Sequence, residues 1–334
     1  MTAMSVGDLA QHFTSMRNGS LIKSELARLS DSLSSGKVAD ITRHLGGETA
    51  GLAGLEYSLT QLDAYAQTGS ETQQYLAAQQ TILTKVDDVR SATAARLLLV
   101  SDASTVAQVD EAAASAQSSF ESVVRSLNTQ IADRSVMGGA NVANAPLASA
   151  DQMLTDIQTA IGGALDAATI IATVDDWFDD PGGGFATMGY VGDTGPTQER
   201  RVSETRSVGL TARADNPAFV AVLKSTALAA LANDMPALDA DTKRTLLQEA
   251  GADMFGAASD LVGVQARVGF AEAQVADALA ENAAQQTGLG IARNDLISAD
   301  PFDTASRLQQ VQLQLETHYA VTARLSQLSL LRYI

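Results

Sequence analysis

The sequence predicts a mainly α-helical protein. Long antiparallel helices form a coiled coil with the N- and C-terminal helices paired, and a small mixed α/β insertion sits in mid-chain. Three observations lead there. Apolar residues recur at alternating spacings of four and three near both ends, the period of one helix face. Aromatic residues make up only 4% of the chain and proline only six residues, which favours long helices over an aromatic-rich core. Glycine, asparagine and proline cluster between residues 133 and 215, where strand-like alternation is also found.

The first helix carries Leu9, Phe13 and Met16, is interrupted at Asn18-Gly19, and resumes with Ile22, Leu26, Leu29 and Leu33. Gly36, in "SSGK", is placed to cap its C-terminus. A glycine-interrupted link, "HLGGETAGLAGLEYSL", leads to two long helices between about 70 and 135. Their faces are marked by Ile82, Val86 and Val89, and by Phe120, Val124, Leu127 and Ile131, with a break and N-cap at "SDAST". In "DRSVMGGANVANAPL" the turn residues take over, with "SVM" as a short strand. A helical segment over 149–177 follows, then the loop "DDWFDDPGGG" and two strand candidates, "FATMGYVGD" and "RRVSETRSVGLTAR". Beyond Asn216 the chain is helical again: "PAFVAVLKSTALAALAND", then a seam of Leu261, Val264, Val268, Ala271 and Val275. An Asp-Pro start in "SADPFDTA" opens the last helix, with Leu308, Val311, Leu315, Val321, Leu325, Leu328 and Leu331 along one side.

The expected organisation is therefore terminal helical assembly segments at 1–44 and 300–334, a helical rod at 45–147 and 216–299, and an inserted outer domain at 148–215. The turn-rich borders of the insertion predict that the helical core tolerates its removal.

The net charge of −17 and pI near 4.4 exclude an extended phosphate-binding surface, so nucleic acid is not an expected partner. An anionic membrane surface would repel the chain, and no apolar run approaches the length of a bilayer span. The absence of cysteine excludes disulfides and thiolate metal sites. The opening twenty residues lack the basic and apolar blocks of a secretory signal.

Candidate chemistry is thin. His12, His44 and His318 are isolated in sequence and fit no metal-binding spacing. Asp175, Asp176, Asp179 and Asp180 lack the alternation and closing glutamate of a calcium loop, so a solvated acidic turn is the reading. "GLGIARN" lacks the third glycine of a dinucleotide fingerprint, and Gly182–Gly184 precede no Lys-Ser/Thr. "NGS" at 18–20 is a glycosylation sequon placed in a helix. No serine elbow exists. No catalytic residue, cofactor or metal is expected. What remains is the pair of terminal seams. The last helix has few charges to solvate its outer face, and contiguous exposed apolar surface marks a partner site. The candidate assembly interface is Ile22, Leu26, Leu29, Leu33, Val321, Leu325, Leu328 and Leu331.

Several stretches resemble the flagellin superfamily, most closely the hook-associated protein 3 type of hook–filament junction protein. "LARLSDSLSSGKVAD" (26–40) looks like the end of that family's first helix. "IADRSVMGGANVANAPL" is similar to its "grYlFaGt…Pl" pattern, with Met137 and Gly138-Gly139 in the F-a-G place. "GYVGDTGPTQERRVSE" (189–204) resembles the shared "Y-x-G-d" stretch. "RVGFAEAQVADA" and "ISADPFDTASRLQQVQLQLETHYAVTARLSQLSLL" are similar to the C-terminal signature. The opening "VGDLAQHF" and the chain's end differ from filament flagellins, which favours the junction type and leaves a divergent flagellin as the alternative. The resemblance implies a structural, non-enzymatic subunit of the extracellular flagellum, exported without a cleaved signal. It implies a homo-oligomeric ring that meets other hook-associated proteins and flagellin, and a cytoplasmic export chaperone that shields the C-terminal helix. A secreted coiled-coil binding protein, or an enzyme hidden in 148–215, are the rival readings from the residues alone.

Overall fold

The computed structural model describes the backbone of residues 6–331, with side chains from Ala10 to Arg324, Gln11 excepted. Its elements run α1 (Val6–Ser35), α2 (Ile41–His44), α3 (Ala50–Leu97), α4 (Val106–Leu127), β1 (Gln130–Ile131), β2 (Arg134–Ser135), α5 (Ala150–Ile161) and α6 (Ala167–Asp179). A π-helical turn (Phe185–Gly189), β3 (Gln198–Arg201), β4 (Ser207–Leu210), α7 (Pro217–Asp234), α8 (Ala240–Gly256), α9 (Ala258–Ile297) and α10 (Pro301–Leu331) complete the described chain. The fold is mainly α, with two small two-stranded sheets among the described residues. It divides into a terminal unit, residues up to Asp63 with those from Ala284 onward, and a central unit, Ala64–Ala283.

The central unit is built around α7. Its sequence is apolar on every side, so it is buried on every side: Phe219, Val222, Leu223 and Ala227 are all fully inaccessible. Asn216 caps its start by accepting from the Ala218 N–H at 3.1 Å, and Pro217 occupies the first helical position. Helix α4 is amphipathic and lies against α7 with Val109, Ala113, Ala116, Phe120 and Leu127 inward. A capping box between Thr105 and Gln108 fixes where α4 begins.

The helical segment expected over 149–177 consists of two helices. Gly162 and Gly163 adopt φ of +63° and +85°, a left-handed C-cap that ends α5. Asp166 then accepts from the Thr169 N–H at 2.9 Å and starts α6. The strand expected at "FATMG" is a π-helical turn instead, because tertiary packing outweighs local pattern there. Trp177, Phe178, Phe185 and Tyr190 form a chain of ring contacts with centroids 4.6–6.3 Å apart. Gly184 lies flat on the indole, so that a Cβ there would fall 1.8 Å from Trp177 Nε1. The strands expected in "RRVSETRSVGLTAR" are present, pairing antiparallel from Gln198↔Leu210 to Arg201↔Ser207.

The two mid-chain motifs, about fifty residues apart, meet. The Asp193 N–H donates to Gly138 O at 3.0 Å, and the Asp193 carboxylate accepts from the Ala140 and Gly195 N–H groups at 3.2 and 2.9 Å. Those backbone bonds hold its carboxyl below the usual aspartate range. Asn141 Nδ2 donates to Val191 O at 3.1 Å. At Gly138 a Cβ would meet Asn141 O at 2.5 Å and Ser135 Oγ at 2.8 Å. Glycine is required there by space, since the tight turn of 135–141 folds its own backbone and Ser135 too close for any side chain.

Residues 148–215 share one continuous apolar core with α4 and α7–α9, through side chains such as Met153, Ile157, Ile170, Trp177 and Val208. Removing this segment, which its turn-rich borders make look dispensable, would strip the covering from α7. Replacing 148–215 by a short Gly/Ser linker is therefore expected to abolish the cooperative melt of the central unit. A calorimetric scan of wild type and deletion variant checks this.

Candidate assembly interface

In the terminal unit, α1 and α10 run antiparallel. The crossover is fixed at one end by backbone pairing: the Val38 N–H donates to Ile297 O at 2.9 Å and the Ala299 N–H to Gly36 O at 3.0 Å. Gly36, at φ +68°, turns the chain out of α1 as the sequence requires. Asp300 starts α10 by accepting from the Phe302 and Asp303 N–H groups at 2.8 and 3.1 Å, ahead of Pro301.

Between the helices runs one seam. Gly19 is buried in it, and the helix continues through the Asn18-Gly19 step that sequence alone reads as an interruption. The reason is spatial. His318 of α10 occupies the place of the missing side chain, and a Cβ on Gly19 would lie 2.9 Å from His318 Nε2. Further along, Ser15 and Thr322 hydroxyls lie 3.5 Å apart, and Lys23 sits over the Tyr319 ring at 5.6 Å. Glu25 and Arg28 form a bidentate pair, with Nε donating to Oε2 at 3.0 Å. That bond to Arg28 holds the Glu25 carboxyl below the ordinary glutamate range, with partial burial opposing it.

Two helices cover only the stripe each turns to the other. Leu29 is 6% exposed, and Ile22 and Leu26 are half-buried on the Gly19 side. Leu33 and Val321 are 40% and 51% exposed. The side chains of Leu325, Leu328 and Leu331 lie outside the described residues. Beyond the expected set, Phe13, Met16, Leu21, Phe302 and Leu313 are all exposed. At helical spacing Phe13 lies away from the Ile22–Leu26–Leu29 stripe, and Phe302 and Leu313 lie away from the Leu308–Val311–Leu315 stripe. Phe13 and Met16, which follow Leu9 at helical spacing and so read as part of the seam, are exposed, and Leu21, Phe302 and Leu313 fall outside any regular seam. A shallow groove of about 520 Å³ runs between Ile22, Leu313, His318 and Val321.

The other candidates resolve structurally. His12 and His44 are exposed, and no cluster of three or more potential metal ligands exists among the described residues. The Lys224 ammonium on α7 holds Asp175 and Asp179 at 2.9 and 2.6 Å, and Asp180 accepts from the Gly182 N–H at 2.8 Å. Among the described residues no helix is long and apolar enough to cross a membrane.

Residues 254–334 match the family of the bacterial flagellin C-terminal helical region. No curated relative matches the chain by sequence. Among solved structures, a protein of Vibrio parahaemolyticus described as a flagellar hook-associated protein superposes with a TM-score of 0.50 and 12% identity, over 73% of this chain and 95% of that one. The chain is thus flagellin-like in its C-terminal sequence and hook-associated-protein-like in fold.

Gly19→Leu raises intrinsic helix propensity by up to about 1 kcal/mol, yet must drive His318 out of the seam. The expected outcome is looser pairing, read as faster proteolysis within α1 and α10 than in wild type. Glu25 supplies a pH test. A carboxyl whose folded pKa is depressed stabilises above its unfolded pKa and loses that contribution as pH falls through the folded value. The terminal unit should therefore lose helicity on acidification below about pH 4. Glu25→Gln should remove that component of the far-ultraviolet circular dichroism titration.

Proposed function

We propose that this chain is a structural subunit of the bacterial flagellum, a hook-associated junction protein that joins hook to filament through its terminal helices. The observation that carries the reading is the incomplete helix pair: Phe13, Met16, Leu313 and Val321 are 64%, 61%, 64% and 51% exposed in one unit. One exposed leucine is ordinary, whereas four large apolar side chains left uncovered on one helix pair suit coverage by neighbouring copies. Charge supports the same reading. The terminal unit has nine Lys and Arg against eleven Asp and Glu, a net of −2, whereas the central unit has thirteen against twenty-eight, a net of −15. Copies can approach most easily through the near-neutral unit, while the charge of the central units opposes non-specific contact between them.

In this reading 1–44 and 300–334 are the assembly segments, 45–147 with 216–299 form the rod, and 148–215 is the outward part. Ile22, Leu26, Leu29, Leu33, Val321, Leu325, Leu328 and Leu331 are the assembly interface. Partners are further copies in a ring, other hook-associated proteins and flagellin, with a cytoplasmic chaperone on the C-terminal helix before export. The protein works outside the cell, leaves without a cleaved signal, and has no catalytic or cofactor role. The flagellin C-terminal match over 254–334 also favours a second reading, a filament subunit. Electron microscopy of cells lacking the gene separates the two. Hooks that shed or fail to hold filaments support the junction role; absence of filament protein itself supports the second.

Surface substitutions away from special contacts change stability by no more than about 0.5 kcal/mol. Leu313→Asp with Val321→Asp should therefore leave the melting temperature of the monomer nearly unchanged while incorporation into the flagellum is lost. Normal incorporation by the double variant would count against assembly through this face.

A further inference from the structure

We propose that the central unit carries a second contact between copies, in which the β1–β2 hairpin of one copy docks into an acidic, aromatic-backed cavity of the next. It rests on the assembly reading above and adds to it an interface that the terminal helices do not supply.

The cavity measures about 360 Å³ and is backed by Phe178, Phe185 and Tyr190. These rings are stacked, with centroids 5.5 and 6.3 Å apart and interplanar angles of 29° and 25°. Its mouth is acidic. Lys224 is already committed to Asp175 and Asp179, and both oxygens of Asp215 are taken by Arg213 at 3.0 and 2.7 Å. Asp180 has only the backbone bond from Gly182, and neighbouring Asp176 has no ion pair among the described residues. An apolar back with an unneutralised acidic mouth selects a cation carried on an apolar body. At this volume the occupant is one or two side chains.

The β1–β2 hairpin presents that combination. Ile131 and Arg134 are directly paired across its strands, which sets their Cβ atoms about 5 Å apart. Ile131 is 51% exposed, and exposed Arg134 has no hydrogen bond or ion pair among the described residues. The two-residue turn between them places Ala132 and Asp133 at φ +49° and +59°. That is the tight primed turn normally made by Asn-Gly. Two non-glycine residues held there set Ile131 and Arg134 side by side. Asp133 is the one acidic group on the turn and works against docking. Docked in one direction only, hairpin into cavity, the contact is heterologous and repeats from copy to copy as a ring or a helical array.

The chain has no cysteine, so introduced thiols report this contact alone. Copies carrying Ile131→Cys are mixed with copies carrying Ala186→Cys, an exposed residue of the cavity wall, under mild oxidation in purified solution. A control mixture replaces Ala186→Cys by Ser91→Cys, exposed on α3. The expected result is a disulfide-linked heterodimer at several-fold the control yield, falling as salt is raised. Adding Arg134→Glu to the first copy should abolish the excess, and Asp180→Lys in the second should restore it. Asp133→Asn, which suits the turn and removes the repulsion, should raise the yield. A yield equal to the control, or one unaffected by Arg134→Glu, overturns the proposal. Wild-type incorporation into flagella judges the assembly reading separately, since this measurement needs no flagellum.

Discussion

A pair of helices has one interior seam and no second layer. Every turn of α1 and α10 must place some side chains away from its partner, and in this chain those positions hold Phe13, Met16, Phe302, Leu313 and Val321 as well as polar residues. Helices of this kind draw their stability from packing of an apolar face, not from propensity. The pair is therefore under-covered, and the organisation of the rest of the molecule follows from that. The crossover at Gly36–Val38 and Ile297–Ala299 holds the two helices together by backbone pairing where side chains cannot do so alone. The Gly19–His318 contact fixes their register by shape.

The central unit has the opposite character. Its buried α7 is covered by α4, by α8 and by the segment 148–215, so it has its own core and needs no neighbour to fold. Most of the chain's negative charge sits on it, which keeps copies apart except where specific surfaces meet. The packing of Met137–Gly139 against Tyr190–Asp193 joins two segments distant in sequence, and a Cβ on Gly139 would come within 3.1 Å of Asp193. The central unit thus has its own apolar core, whereas the terminal helix pair leaves large apolar side chains exposed.

Much of this was legible in the sequence because helices announce themselves locally. The spacing of Ile22, Leu26 and Leu29 identified the seam, and Asp300-Pro301 identified the start of α10. What failed depended on contacts distant in sequence. Gly19 looks like a break until His318 is known to fill its place. The segment Phe185–Gly189 looks like a strand until Trp177 and Phe178 are seen to hold it as a π-helical turn. The acidic stretch at 175–180 reads as a loop, but Asp175 to Asp179 lie in α6, and the Lys224 that holds Asp175 and Asp179 is not foreseeable from a local window. The exposed apolar residues of the helix pair were only partly legible: Phe13 and Met16 follow Leu9 at helical spacing yet are exposed, and Leu313, off the period of Leu308, Val311 and Leu315, carries no local signal.

The central claim is that neighbours complete the α1–α10 pair. Amide hydrogen exchange, followed by mass spectrometry on the purified monomer and on the same protein in isolated flagella, tests it most directly, because protection reports the free energy of local opening. The account predicts that amides of α1 and α10 exchange rapidly in the monomer and slow by orders of magnitude on assembly, while those of α4 and α7 are protected in both. Equal protection of α1 and α10 in the two states would contradict it.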